Sequence, residues 1–329
     1  MKPRILTGDR PTGKLHVGHL VGHLQQNVAL QDEYDTFMLV ADLHVLTTKP
    51  DGGDLRTNIT ELVRSYLAVG LDPQKVTFFV QSGVPEIAQL AVILGNYITV
   101  NRLQRVPTLK EVMADLHIEQ PPFGLLGYPV LMAADILSFK ANVVPVGEDQ
   151  LSHLEVTREL ARRLNGQIGD ILIEPTPKIS ETKRLPGTDG GAKMSKSLGN
   201  TIELFATPEE LKKKVMSMFT DPNRKSATDP GTVEGNPVFL YHDVFNADKA
   251  EVESLKNRYR QGQVGDVEVK EKLLVALEAV LAPIRERGAA VSDEQIARLL
   301  RDGTAKARQV ARETLDQVKS ALGLGGGIL

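Results

Sequence analysis

The first cluster of residues suited to chemistry is Thr7-Gly8-Asp9-Arg10-Pro11-Thr12-Gly13-Lys14-Leu15-His16-Val17-Gly18-His19. An apolar lead-in, Ile5-Leu6, runs into glycine and proline punctuation, and a helical pattern opens at Val17, so the stretch predicts strand, turn, helix. Gly8, Gly13 and Gly18 let the backbone approach a ligand closely, and a helix start offers unpaired N–H groups to an anion. His16 and His19, three apart, project from the same end of that helix and can donate hydrogen bonds to phosphate oxygens. The spacing is neither the dinucleotide fingerprint nor the loop that ends in Gly-Lys-Ser/Thr. A plain turn with two surface histidines stays open from this stretch alone.

Two further clusters carry charge in places where charge must have a reason. In Lys193-Met194-Ser195-Lys196-Ser197, which follows the glycine-rich run Arg184 to Ala192, two lysines three apart with two hydroxyls suit a polyphosphate. A mobile cationic loop can close on the charge that develops as a phosphate leaves. In Tyr128-Pro129-Val130-Leu131-Met132-Ala133-Ala134-Asp135-Ile136-Leu137, one ionisable residue interrupts a nearly wholly apolar helical pattern. A buried carboxylate is expensive unless it is paired or meets a ligand donor, so Asp135 has either a basic neighbour or a function. Gly147-Glu148-Asp149-Gln150 follows a short apolar run and opens a helix, another strand-end shelf for a ligand; its acids equally suit a helix N-terminus.

The elements that must position these residues alternate strand and helix. Ile5-Leu6, Thr36–Ala41 and Val76–Val80 read as strands, with helices over Val17–Asp32 and Asp54–Val69 and a further strand at Val143–Val146. The pattern predicts a doubly wound, Rossmann-type parallel sheet with ligands at the carboxyl ends of its strands. Asp42-Leu43-His44 ends the second strand, which makes His44 a plausible pocket residue; a structural histidine is the alternative. Residues 106–127, punctuated by Pro107, Pro121 and Pro122, read as a long binding loop. After Thr201–Leu204 the pattern is helical, with a capped start at Thr207-Pro208-Glu209-Glu210. Its last two helices are expected over Ser292–Arg301 and from about Thr304 to Leu322. The expected domains are therefore 1–205, catalytic, and 206–329, helical. Arg308, Arg312 and Lys319 form a basic stripe that can follow a phosphate backbone, though such stripes are more often solvated faces.

Composition narrows the classes. A hydrophobic fraction of 41%, a charged fraction of 25% and a net charge of −3 describe a globular protein whose nucleic-acid site, if present, must be a local basic patch. Cysteine is absent, which excludes disulfides, thiolate zinc and iron–sulfur clusters. No apolar run is long enough to span a bilayer, and a cytoplasmic location without membrane contact is expected.

His16-Val17-Gly18-His19 resembles the His-Ile-Gly-His signature of class I aminoacyl-tRNA synthetases, and Lys193-Met194-Ser195-Lys196-Ser197 is similar to their second signature. Over nearly its whole length the chain most resembles the bacterial tryptophanyl-tRNA synthetases. The resemblance implies ATP, L-tryptophan and tRNA(Trp) as ligands and a homodimer; magnesium is expected to come with ATP, because no fixed carboxylate cage is evident in the sequence. It implies electrostatic catalysis by His16, His19, Lys193 and Lys196. It places ATP against Arg10, Pro11, Thr12, Gly18, His19, Gly147, Glu148, Asp149, Leu185, Lys193, Met194, Ser195, Lys196 and Ser197. Tryptophan falls to Leu6, His44, Tyr128, Met132, Asp135 and Gln150, with Asp135 accepting from the indole N–H. Phenylalanine lacks that donor and would leave the carboxylate unpaired. The helical domain would bind the anticodon. The family often has a second lysine soon after the one at Lys110; Met113 occupies that place here, which weakens a pyrophosphate role for the segment. A tyrosine-specific ligase, a nucleotidyltransferase acting on a small acid, and a silent paralogue that only binds tRNA or tryptophan are the alternatives.

Overall fold

The computed structural model describes residues 2–179, 185–191, 194, 198–224, 226 and 228–325. One parallel sheet contains β1 (Arg4–Asp9), β2 (Asp35–Val40), β3 (Val76–Val80), β4 (Val143–Val146) and β5 (Thr176–Ile179), in the order β3-β2-β1-β4-β5. The order reverses between β1 and β4. Such a reversal defines a doubly wound α/β sheet and leaves a crevice at the carboxyl ends of those two strands. The longer helices are α1 (Leu55–Val69), α2 (Pro85–Gly95), α3 (Pro107–Asp115), α4 (Phe123–Ser138), α5 (Leu151–Ile168), α6 (Pro208–Met216), α7 (Pro237–Phe245), α8 (Lys249–Arg260), α9 (Asp266–Ala290) and α10 (Asp293–Ala321).

The chain forms two compact units, each discontinuous in sequence. One comprises Met1–Gly13, Gln26–Glu181 and Ser292–Leu329; the other comprises Lys14–Gln25 and Thr182–Val291. A single boundary after residue 205 does not describe this division, because α10 belongs with the sheet.

The first unit owes its core to strands buried on both faces. Five of the six residues of β2 are buried, and the rings of Phe37 and Phe79 lie 5.0 Å and 4.9 Å from that of Phe139. Helix α10 lies directly on β3. A Cβ at Gly303 would stand 1.9 Å from the Phe78 carbonyl oxygen, and the Val80 N–H donates to Thr304 Oγ1 at 3.1 Å. Gly303 therefore serves close approach, and the two helices expected over 292–322 are one continuous helix. The expected loop over 106–127 is also largely helical: Pro107 stands in the first turn of α3, where its missing N–H costs nothing, and Met113 packs against the core. The expected helix after β1 is interrupted by a π-type segment, Leu20–Leu24, and ends at Leu30. Strand β5 escaped the sequence reading because it holds Pro177 and is mostly exposed.

In the second unit α6 opens on a reciprocal cap, Glu210 N–H donating to Thr207 Oγ1 at 3.2 Å and Thr207 N–H to Glu210 Oε2 at 2.8 Å. Thr201–Leu204 forms no ladder; its one bridge is antiparallel, from Glu203 to His16.

Candidate active-site residues

In the first unit, the carboxyl ends of the strands gather a buried polar network around Asp135. Its carboxylate, 2% exposed on α4, accepts from His44 Nε2 at 2.9 Å and from Gln81 Nε2 at 2.7 Å. Gln81, completely buried just beyond β3, also accepts the Leu43 N–H at 3.1 Å, which fixes its amide with nitrogen toward Asp135. Burial pushes the Asp135 carboxyl above its ordinary range, and the bonds from His44 and Gln81 pull against that rise without cancelling it. The basic neighbour that a buried carboxylate requires is thus His44. Each oxygen carries one protein donor, and a carboxylate has about four acceptor positions, so the pairing leaves room for a ligand N–H.

A second network begins on the same helix. Tyr128 Oη lies 2.6 Å from His153 Nε2 and 3.2 Å from Thr108 Oγ1. His153 Nδ1 lies 2.9 Å from Gln150 Oε1, and Gln150 Nε2 donates to Asp149 Oδ2 at 2.8 Å. Burial raises the Tyr128 phenol, opposed by its bond to Thr108 and by the nearby charge of Arg10. Met132, one turn beyond Tyr128, is half-buried, Leu6 is in the core of the sheet, and Gly147, Glu148 and Asp149 are exposed at the end of β4. Arg10 is exposed after β1, next to buried Pro11 and half-buried Thr12, whose N–H closes a tight turn onto the Arg10 carbonyl at 2.8 Å.

In the second unit the first signature lies against Met194. Gly18 N–H donates to His16 Nδ1 at 3.1 Å, and His16 N–H donates to His19 Nδ1 at 3.2 Å, so the two histidines cap their own helix. With each Nδ1 accepting a backbone proton, a neutral ring carries its own proton on Nε2, the tautomer that can donate to an anion. Backbone bonds hold this turn: Val17 N–H to the Ile202 carbonyl at 2.9 Å and Leu204 N–H to the Leu15 carbonyl at 3.0 Å. A Cβ at Gly18 would lie 2.9 Å from the His16 ring and 3.0 Å from Met194 Sδ, so only glycine fits between His16 and Met194. Met194 and Leu185 are buried. Lys193, Ser195, Lys196 and Ser197 lie outside the described residues. Toward the second signature the chain is tied down: Tyr241 donates to the Pro186 carbonyl at 2.9 Å, and Asn200 Nδ2 to Asp189 at 3.1 Å.

The basic stripe of α10 is partly engaged within its own unit, since Glu86 Oε1 accepts from Arg308 at 3.0 Å and from Arg312 at 3.4 Å. Gln81, Thr108 and His153 went unnoticed in the sequence. Gln81 follows a strand at the same sheet edge as His44, and His153 stands one turn after Gln150; position offered the only signal for either.

The family model for class I tRNA synthetases (W and Y) matches residues 1–282, and the chain belongs to that family. Within it, the similarity is to the tryptophan enzymes. The tryptophan–tRNA ligase of Treponema pallidum (strain Nichols) is 50% identical over 98% of this chain and 97% of its own. That of Borreliella burgdorferi is 48% identical over 98% of this chain and 95% of its own. The crystal structure of tryptophanyl-tRNA synthetase from Campylobacter jejuni, complexed with ADP and tryptophan, superposes with a TM-score of 0.87 at 35% identity, covering 98% of this chain and 100% of that one.

Proposed function

We propose that this chain is a tryptophan–tRNA ligase. The carboxylate of L-tryptophan attacks the α-phosphorus of ATP in line, the bond to the β-phosphate oxygen breaks, and pyrophosphate leaves from tryptophanyl-adenylate. A ribose hydroxyl at the 3′ end of tRNA(Trp), the 2′-hydroxyl by likeness to class I enzymes, then attacks the acyl carbon and AMP leaves. No protein nucleophile is needed. The protein contributes positioning and hydrogen-bond donors and cations that bind charge more strongly in the transition state than before it. His16 and His19 through Nε2, with Lys193 and Lys196, meet the polyphosphate; magnesium arrives with ATP as part of the substrate. Arg10, Pro11, Thr12, Gly18, Leu185, Met194, Ser195, Ser197 and Gly147 to Asp149 contact the nucleotide. Asp135 accepts the indole N–H, and His44, Leu6, Met132, Tyr128 and Gln150 surround and orient the amino acid.

The observation that carries the tryptophan reading is Asp135: a carboxylate that is buried, held by two donors and still able to accept a third. Amino-acid-dependent ATP–pyrophosphate exchange with tryptophan, tyrosine and phenylalanine in parallel is the test. Exchange with tryptophan alone is expected, and exchange with tyrosine instead would overturn the substrate. The helical residues after 205 bind the anticodon arm in this reading, and the enzyme works in the cytoplasm as a homodimer. Among the described residues no helix is long and apolar enough to cross a membrane.

A further inference from the structure

His153 lies 2% exposed on α5 and joins the two residues assigned above to orient the amino acid. Gln150 has its amide nitrogen on the Asp149 carboxylate, so its oxygen is the atom 2.9 Å from His153 Nδ1. A carbonyl oxygen only accepts, and Nδ1 therefore carries the imidazole proton. Nε2 is left as an acceptor with a single lone pair, within 2.6 Å of Tyr128 Oη and 2.8 Å of Thr108 Oγ1. Two arrangements satisfy it. Either Tyr128 donates to Nε2, or Tyr128 donates to Thr108 at 3.2 Å and Thr108 donates to Nε2. In both, the phenolic proton is spent inside the protein. The Tyr128 oxygen then has a lone pair to offer, and the Gln150 oxygen has its second one.

We infer that His153 is a positioning residue that makes Tyr128 and Gln150 a matched pair of hydrogen-bond acceptors for the α-ammonium group of the amino-acid substrate. The inference rests on the proposed role of Tyr128 and Gln150 in orienting that substrate. An imidazolium would do the opposite: both nitrogens would donate, and the phenolic proton would be released toward an incoming cation. Burial, reinforced by the neighbouring His44, pushes the His153 imidazole down to about 4, which keeps it neutral at physiological pH.

Recognition of an ammonium group is separable from recognition of an indole by comparing tryptophan with 3-indolepropionate, which keeps the ring and carboxylate and lacks the nitrogen. In the full-length enzyme His153→Ala is expected to raise the KM for tryptophan roughly ten- to hundredfold, the worth of one or two hydrogen bonds to a charged group. The inhibition constant of 3-indolepropionate and the KM for ATP should stay within about twofold of the parent enzyme. His153→Gln, which nearly keeps the volume and can present an oxygen toward Tyr128, should show a smaller loss with the same selectivity for tryptophan; it carries the test if the alanine variant does not fold. Equal weakening of tryptophan and 3-indolepropionate, or no change for either, would overturn the inference. Tyr128→Phe and Gln150→Ala, measured alongside, separate the two levels. If they weaken tryptophan selectively and the His153 variants do not, the role of His153 is wrong. If they too weaken both ligands equally, the ammonium assignment beneath it is wrong.

Discussion

Replacing Asp135 with asparagine should move ligand binding and stability in different directions, because the network around the carboxylate dictates how the amide must sit. Gln81 can only donate toward position 135, since its own oxygen is held by the Leu43 N–H at 3.1 Å. The new amide oxygen must therefore face Gln81 and its nitrogen must face His44 Nε2, now 2.9 Å from the carboxylate. His44 adapts by shifting its proton to Nδ1, after which Nε2 accepts. Both protein partners of position 135, Gln81 and His44, stay paired, and only the second N–H of the new amide gains no protein acceptor. The substitution also removes a charge from a site 2% exposed. Because the folded pKa of Asp135 lies above the unfolded value, its ionisation costs stability at neutral pH, and that cost fades as the pH falls through the folded value. Asp135→Asn is thus expected to unfold at the same temperature as the parent or a higher one.

Binding should weaken all the same. A hydrogen bond to a charged acceptor contributes about 1.5–3 kcal/mol and one to a neutral acceptor about 0.5–1.5 kcal/mol, so the indole N–H loses about 1 to 1.5 kcal/mol, roughly tenfold in KM for tryptophan. The KM for ATP should be unchanged. Asp135→Ala is the contrasting case: it strands the donors of His44 and Gln81, at about 1–3 kcal/mol each, and leaves the indole N–H buried without a partner. Tryptophan affinity should then fall about a hundredfold, with a lowered melting temperature. Pyrophosphate exchange gives both KM values and thermal unfolding gives the stability. An unchanged KM for tryptophan in Asp135→Asn, or equal losses for tryptophan and ATP, would refute the reasoning.

Gly303→Ala should destabilise the first unit by about 3 kcal/mol or more in denaturant unfolding, since its Cβ would fall 1.9 Å from the Phe78 oxygen in a strand that cannot retreat. Gly18→Ala should lower the exchange rate about tenfold, with little change in melting temperature, because the methyl group presses on the His16 ring at 2.9 Å. Lys196→Ala should slow adenylate formation by about 10²- to 10³-fold while tryptophan binding, read by equilibrium titration, stays within about twofold. The buried His153, held at about 4 against 6.5 unfolded, contributes stability that is complete above 6.5 and lost as the pH falls toward 4. Between pH 7 and pH 5 the parent should therefore lose about 2 kcal/mol more than His153→Gln in denaturant titrations.

What could be read from the sequence was what one residue type does by itself or in a local pattern. His16 and His19 stand out because two imidazoles three apart at a helix start have few uses, and Asp135 because a lone carboxylate in an apolar helix demands an account. The strands β1 to β4 follow from continuous apolar runs. What escaped were roles that exist only between distant residues. Gln81 is an unremarked polar residue until its amide is placed 2.7 Å from a carboxylate 54 positions later. His153 has no motif of its own; its function is to settle the proton positions of Tyr128 and Gln150.

Gly303 and Pro107 misled for one reason. Each lowers local helix propensity and so reads as a break, yet neither breaks its helix, because the context removes the penalty. Pro107 sits where an N–H would go unused, and Gly303 sits where a side chain would collide with β3. The consequence reaches the organisation of the chain. Since α10 closes onto β3 through that glycine, the last helix in the sequence belongs to the unit built on the first strand. Arg308 and Arg312 are thereby brought within reach of Glu86 on α2, which turns two members of an expected solvated stripe into ion-pair partners. A basic pattern alone therefore identifies charge but not its partner; the partner is set by where the helix packs.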